Sequence, residues 1–256
     1  KPEYGWKKEV VGNLNFTQNK FDNWAQGGED SWSWQLDLNA KFENDQELYN
    51  WANTGKFSFG QAKIGDADSR KAADELKLES VYTYKFNNII NPYVALTAKT
   101  QIAKGYQYTD TGKFAISDLL DPGYFTQSIG IGYKPNETIK TRFGAAIKET
   151  VADKYGYADD PETTKLEKTR TEYGAESVTD LDLKLSENIL FKSKLEMFST
   201  LDAINEVDVN WDNMFTAKVS EYINVSFNLN LFYDRDISNS RQLKQTLAVG
   251  LSYNLL

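Results

Sequence analysis

The chain has 256 residues, with 29 basic against 37 acidic side chains, a formal net charge of −8, and neither cysteine nor histidine. Missing cysteine excludes disulfides, thiolate chemistry and Cys-based metal sites; missing histidine excludes a Ser-His triad, an Asp-His hydrolase pair and any His-ligated metal. No run of 18 apolar residues exists, so no helix can span a membrane, and no basic stripe is present to hold nucleic acid. The mean hydropathy of −0.59 still permits a membrane protein in which only every second residue meets lipid.

In chain order, the alternation predicts twelve strands. The first runs from Trp6 to Thr17, with Leu14 and Phe16 on one face, and a polar loop covers Asn19 to Asp30. The second, Trp32 to Phe42, sets Trp32, Trp34, Leu36, Leu38, Ala40 and Phe42 against Ser33, Gln35, Asp37, Asn39 and Lys41. After a turn at Asn44-Asp45 comes the third, Tyr49 to Phe59, then a charged loop from Gly60 to Ala73. The fourth carries Leu76, Leu78, Ser80, Tyr82, Tyr84 and Phe86 against Glu75, Lys77, Glu79 and Lys85, and turns at Asn87-Asn88.

The fifth, Tyr93 to Ile102, opens into the longest connection, Ala103 to Gly123. The sixth holds Phe125, Gln127, Ile129, Ile131 and Tyr133; a turn at Pro135-Asn136 leads to the seventh, with Ile139, Phe143, Ala145 and Ile147. A loop from Thr150 to Thr169 precedes the hairpin of the eighth and ninth, Thr171 to Ser186 and Ile189 to Ser199. The tenth and eleventh are Val207 to Val219 and Ile223 to Tyr233, joined at Ser220 to Tyr222. After Asp234 to Arg241 the twelfth, Leu243 to Leu255, puts Leu243, Leu247, Val249, Leu251, Tyr253 and Leu255 on one face.

Connections alternate long and short, the strand count is even, and both termini fall on the short-turn side. That pattern predicts residues 1–256 as one all-β domain, a transmembrane antiparallel up-and-down β-barrel with short periplasmic turns and long extracellular loops. Each strand has roughly 10 residues, enough to cross a bilayer when tilted. A soluble double sheet or solenoid would show the same alternation. Two features favour lipid outside. Aromatic rings gather near strand ends, Tyr82, Tyr84 and Tyr133 beside short turns and Trp32, Trp34 and Tyr233 beside long loops. A soluble twelve-stranded sheet would also leave edges, or a cavity too wide to fill. A barrel further entails a signal peptide removed upstream of Lys1, whose surroundings lack one.

With apolar residues facing lipid, the lumen receives Glu75, Lys77, Glu79, Lys140, Arg142, Lys148, Glu172, Glu176, Asp180, Asp182, Lys192, Lys194 and Glu196. Pairing Leu185 with Ile189 sets Asp182 opposite Lys192 and Asp180 opposite Lys194. Such charges form either a selective eyelet for ions and small polar solutes or a neutralised network that fills the bore. Asp208 and Asp212 share a strand face, but carboxylate pairs are common in barrel lumens and catalysis is not expected. Asp66, Asp68, Asp153, Asp159, Asp160 and Glu162 offer calcium-type oxygens in loops without the spacing of a calcium loop, and no cofactor is expected.

Several separated motifs occur in order: Trp24-Ala25-Gln26-Gly27-Gly28, Thr100-Gln101, Gly105-Tyr106-Gln107-Tyr108, Ser117-Asp118-Leu119-Leu120-Asp121-Pro122-Gly123-Tyr124, Gly132-Tyr133-Lys134-Pro135-Asn136, Val209-Asn210-Trp211 and Tyr233-Asp234. This set resembles an uncharacterised family of bacterial outer-membrane β-barrel proteins, catalogued as a domain of unknown function. The resemblance implies the outer membrane of a diderm bacterium and supplies no activity. One departure stands out: barrels often end on an aromatic residue, whereas this chain ends Asn254-Leu255-Leu256.

The longest loop holds Gly105, Tyr106, Tyr108, Phe114, Ile116, Leu119, Leu120 and Pro122, too apolar for a segment surrounded only by water. It is expected to plug the bore, dock a partner or cap the rim, with Trp24 and Gly27-Gly28 beside it. Two functional classes follow. One is a non-catalytic accessory or docking subunit of an outer-membrane assembly, in contact with the bilayer, its lipopolysaccharide and other outer-membrane or surface proteins. The other is a narrow channel for small polar solutes.

Overall fold

The computed structural model describes residues 4–22, 28–159, 164–204, 206–235 and 239–255. Twelve strands close into one antiparallel barrel: β1 (Gly5–Asn19), β2 (Ser31–Asp45), β3 (Tyr49–Ile64), β4 (Arg70–Tyr84), β5 (Ile90–Thr100), β8 (Gly123–Tyr133), β9 (Ile139–Val151), β10 (Thr169–Lys184), β11 (Ile189–Thr200), β12 (Val207–Lys218), β13 (Ile223–Tyr233) and β14 (Gln242–Asn254). Two further strands, β6 (Gly105–Thr109) and β7 (Gly112–Ser117), form a separate hairpin between β5 and β8. The predicted twelve-stranded barrel is therefore present. The segment Ala103 to Gly123, predicted as the longest connection, contains this hairpin.

Strands also run further toward the long loops than the apolar pattern predicts. β3 continues to Ile64 and β4 begins at Arg70, so the predicted Gly60–Ala73 loop shrinks to residues 65–69. β10 likewise begins at Thr169. The cause is physical. Above the hydrocarbon both faces of a strand meet water, so the apolar alternation stops while the backbone ladder continues.

The two faces are strongly unlike. Outward positions include Leu78, Ile129, Phe143, Leu243, Leu247 and Leu251, with Leu247 72% exposed, whereas inward Val178 is 1% exposed. A closed sheet with a mainly apolar exterior and a polar interior is the geometry of a membrane-spanning barrel. At the short-turn end the outward rings of Trp6 and Trp51 lie 6.1 Å apart, and those of Tyr49 and Tyr82 stack at 5.4 Å. Rings at this level form one of the two aromatic girdles.

Among the hydrogen-bonded side chains of the exterior, two clusters share one design. On β3–β4 the Trp51 indole N–H donates to Ser80 Oγ at 3.0 Å, and Ser80 Oγ donates to Asn53 Oδ1 at 2.8 Å. On β11–β12 Trp211 donates to Ser193 Oγ at 2.9 Å, and Ser193 donates to Asn213 Oδ1 at 2.9 Å. Each is a Trp-x-Asn strand with a serine directly opposite the asparagine. In the strand order the two clusters sit on opposite sides of the barrel.

Inside, Gly130 of β8 faces Gly144 of β9. Tyr93, 3% exposed, covers them: a Cβ on Gly144 would run into its hydroxyl and the Ile129 carbonyl. The glycines leave room that the single ring fills.

Candidate functional site

Inward parity on β3, β4, β9, β10, β11 and β12 delivers charged side chains to the middle of the bore. Lys77 of β4 forms an ion pair with Glu196 of β11, and Lys194 of β11 pairs with Glu79 of β4. Four strands separate β4 from β11 by the shorter way round, so both pairs cross the bore rather than run along the wall. Arg142 of β9 pairs with Glu79 and, at 3.3 Å, with Glu176 of β10. Lys194 also lies 3.9 Å from Asp180 and 3.8 Å from Glu196. Lys56 of β3 makes a further crossing, 2.9 Å from Glu75 and 3.5 Å from Asp212 of β12. Asn230 Nδ2 donates to Asp212 at 2.8 Å and to Asn210 at 3.0 Å, and Asn210 donates to Glu196 at 2.7 Å.

Above this layer, toward the long loops, Lys148 lies among three carboxylates: Asp208 at 2.6 Å, Asp234 at 3.5 Å and Glu172 at 3.6 Å. A cavity of about 160 Å³ occupies this level. Its walls include Tyr124, Phe198 and Phe232, and Lys77, Glu176 and Glu196 of the crossing layer also line it.

The structure thus brings together Glu75, Lys77, Glu79, Arg142, Lys148, Glu172, Glu176, Asp180, Lys194 and Glu196. Asp182 and Lys192 oppose each other as their register predicts, 3.8 Å apart, but half-exposed at the short-turn mouth. Lys140 faces Asp180 across the β9–β10 ladder and takes no part in the crossing pairs. Sequence reasoning did not place Lys56, Asn210, Asn230, Asp234 or Lys99, which lies 3.9 Å from Glu75, in the bore. Parity would have found Lys56, because Phe57 and Phe59 on either side of Ser58 face outward.

The long connection sits at the rim. Asp74, near the top of β4, accepts the backbone N–H of Ile102 at 2.7 Å and of Ala103 at 2.9 Å, and pairs with Lys71 at 2.7 Å. Lys71 also donates to Gln101 Oε1 and the Ala103 carbonyl, while Ser117 Oγ donates to Gln101 Oε1. Gln101 Nε2 donates to the carbonyls of Asp118 and Asp121, and Thr100 Oγ1 accepts Leu120 N–H. The Leu119 amide, with Lys104 nearby, holds the Asp118 carboxyl below the usual carboxylate range.

Cations sandwich the hairpin's tyrosines. Lys113 lies 4.1 Å from the Tyr106 ring and Arg70 lies 4.2 Å from the Tyr108 ring. Phe114, Ile116, Leu119 and Leu120 are exposed, Gly105 is buried, and none of these residues lines the bore cavity. Trp24 and Gly27 lie outside the described residues, as do Asp160 and Glu162. Among the described residues no group of three or more acidic side chains is arranged to hold a metal ion; Asp153 pairs with Lys168 and Asp159 accepts the Glu167 amide.

These rim residues include several of the motif positions noted in the sequence. Over residues 16–106 the chain matches the model of a family described as "Protein of unknown function (DUF3078)". The chain resembles that family. The DUF3078 match covers the end of β1 and all of β2 to β5, and with them Lys71, Asp74, Lys77, Glu79 and Gln101. No curated protein sequence matches the chain. Among solved structures it is similar to an outer membrane channel (COG4313) from Pseudomonas putida F1, at 11% identity and a TM-score of 0.45 over 99% of this chain and 96% of that one. It is also similar to the NanC porin, at 7% identity and 0.41 over 95% and 97%. A third is the translocator domain of autotransporter NalP from Neisseria meningitidis, at 9% identity and 0.39 over 99% and 89%.

Proposed function

We propose that this protein is an integral barrel of a bacterial outer membrane, closed to through-flow, that serves as an accessory or docking subunit of an outer-membrane assembly. One observation carries the reading. Lys77–Glu196, Lys194–Glu79 and Lys56–Asp212 bridge non-adjacent strands across the bore. An open pore keeps its charges on the wall, where hydrated solutes pass between them. Here the charges meet in the middle, and each satisfies its partner. The rim supports the docking half. A hairpin held by Asp74, Lys71 and Gln101 presents Phe114, Ile116, Leu119 and Leu120 to the exterior, and preorganised apolar groups are what a binding surface requires.

Planar-bilayer recording of the reconstituted protein tests this. The expected result is an absence of steady single-channel current. Steady, salt-dependent currents would overturn the reading in favour of a narrow channel for small polar solutes. Extraction in mild detergent tests the docking half, with stoichiometric co-purification of a partner expected.

A further inference from the structure

The junction that closes the barrel is unlike the others. β1 and β14 pair only from Val11 to Asn15 against Asn254 to Gly250, while β1 pairs with β2 over its whole length, Gly5 to Asn19. β14 likewise stays paired with β13 from Leu251 up to Gln242. Above Asn15 and Gly250, therefore, the outer halves of β1 and β14 each hold one neighbour and not each other. Ser252 N–H donates toward β13, to the Tyr222 carbonyl, and Leu255 N–H toward β1, to the Val10 carbonyl. By that alternation Leu243, Gln245 and Leu247 turn their backbone N–H and C=O groups toward the gap.

Depth makes this consequential. Leu243 lies opposite Leu231, one outward position below Tyr233 of the outer girdle, and Leu247 lies opposite Phe227. Leu243 and Leu247 are both lipid-exposed. Unpaired backbone groups at hydrocarbon level are strongly unfavourable, so the edge demands a hydrogen-bonding partner that acyl chains cannot supply. Gln245 shares the outward face with these leucines, and Gln18 shares the outward face of β1 with Leu14 and Phe16. Both lips of the gap thus carry an outward side-chain amide.

We infer that the outer half of the β1–β14 seam is an acceptor edge for an extended polypeptide segment of another protein, which adds to β14 as a strand. This deepens the docking reading and rests on it. The segment places apolar residues beside Leu243 and Leu247 and polar residues beside Lys244, Thr246 and Ala248 on the bore side. A second copy of this chain fits poorly. Antiparallel pairing of two β14 edges would invert one barrel in the membrane, and the edges of two upright barrels, tilted in the same sense, cross rather than align.

Backbone amide hydrogen exchange on the full chain in lipid nanodiscs tests the seam. The probe is a synthetic peptide of alternating valine and threonine with a lysine tail. Leu243, Gln245 and Leu247 should exchange fast in the free protein, and the β13-facing amides of Lys244 and Thr246 slowly. Peptide should slow the first set by roughly tenfold or more as each gains a ladder hydrogen bond. Two variants sharpen the test. Thr17→Cys with Ala248→Cys, oxidised, zips the seam and should abolish the peptide effect. Gln245→Pro removes one seam-facing donor without touching the β13 ladder and should weaken it. Three results would overturn the inference: protection of all three amides without peptide, no slowing with peptide, or equal slowing in the oxidised variant. Bilayer conductance stands apart, so steady currents would sink the closed-barrel reading and leave these exchange rates to be judged separately.

Discussion

Lys77 and Glu196 belong to strands separated by four others, yet their charges meet. A wall-bound charge pair joins adjacent strands; this one spans the bore at its middle. Removing the pair together with its companion, through Lys77→Ala, Glu196→Ala, Lys194→Ala and Glu79→Ala, should open a steady, salt-dependent current in planar bilayers, against a silent parent. Silence in the variant would show that something other than these bridges shuts the bore.

Glu79 is the hub of the crossing layer, 7% exposed and shared by Arg142 and Lys194. Glu79→Gln leaves two cations short of a counter-charge, and breaking a buried pair on one side typically costs about 3–5 kcal/mol. Urea unfolding followed by gel mobility should show that loss. Replacing Lys192, half-exposed at the mouth, by Met should change stability far less.

The exterior clusters predict a matched pair of effects. Ser80→Ala and Ser193→Ala each orphan a tryptophan N–H and an asparagine carbonyl at membrane depth. Each should destabilise by about 1 kcal/mol, and the two losses should add, because the sites lie on opposite sides of the barrel. Markedly unequal or non-additive values would refute their equivalence.

Asp74 predicts a separable change at the rim. Its carboxylate receives two backbone amides and Lys71, and hydrogen bonds to a charged group are worth about 1.5–3 kcal/mol each. Asp74→Asn should leave the barrel folded but speed tryptic cleavage at Lys104 and Lys113. Cleavage no faster than in the parent would show that the hairpin is held by other contacts.

What the sequence made legible follows from one local rule. Side chains alternate, so the inward set from Glu75 to Glu196 and the outward set from Leu14 to Tyr253 could be read strand by strand. The Asp182–Lys192 register followed from the tight turn between β10 and β11. Lys77–Glu196 could not be read, because contacts between non-adjacent strands depend on barrel width and side-chain reach, which no alternation encodes. The hairpin at Gly105 to Ser117 escaped notice because a two-stranded ribbon in water needs no apolar stripe. The seam escaped for the opposite reason: β14 alternates clearly, and alternation says nothing about whether a neighbour is present.

The longest strands, β1 to β4 and β10, have 15 or 16 residues and overshoot the bilayer. Fifteen residues at about 3.3 Å each, inclined by about 40°, reach roughly 38 Å along the membrane normal, against a hydrocarbon thickness of about 30 Å. Most of the surplus lies on the side of the long connections, as a collar raised above the headgroups. A soluble visitor arriving from that side would meet the pinned ribbon and the leucines that follow it before it touched lipid.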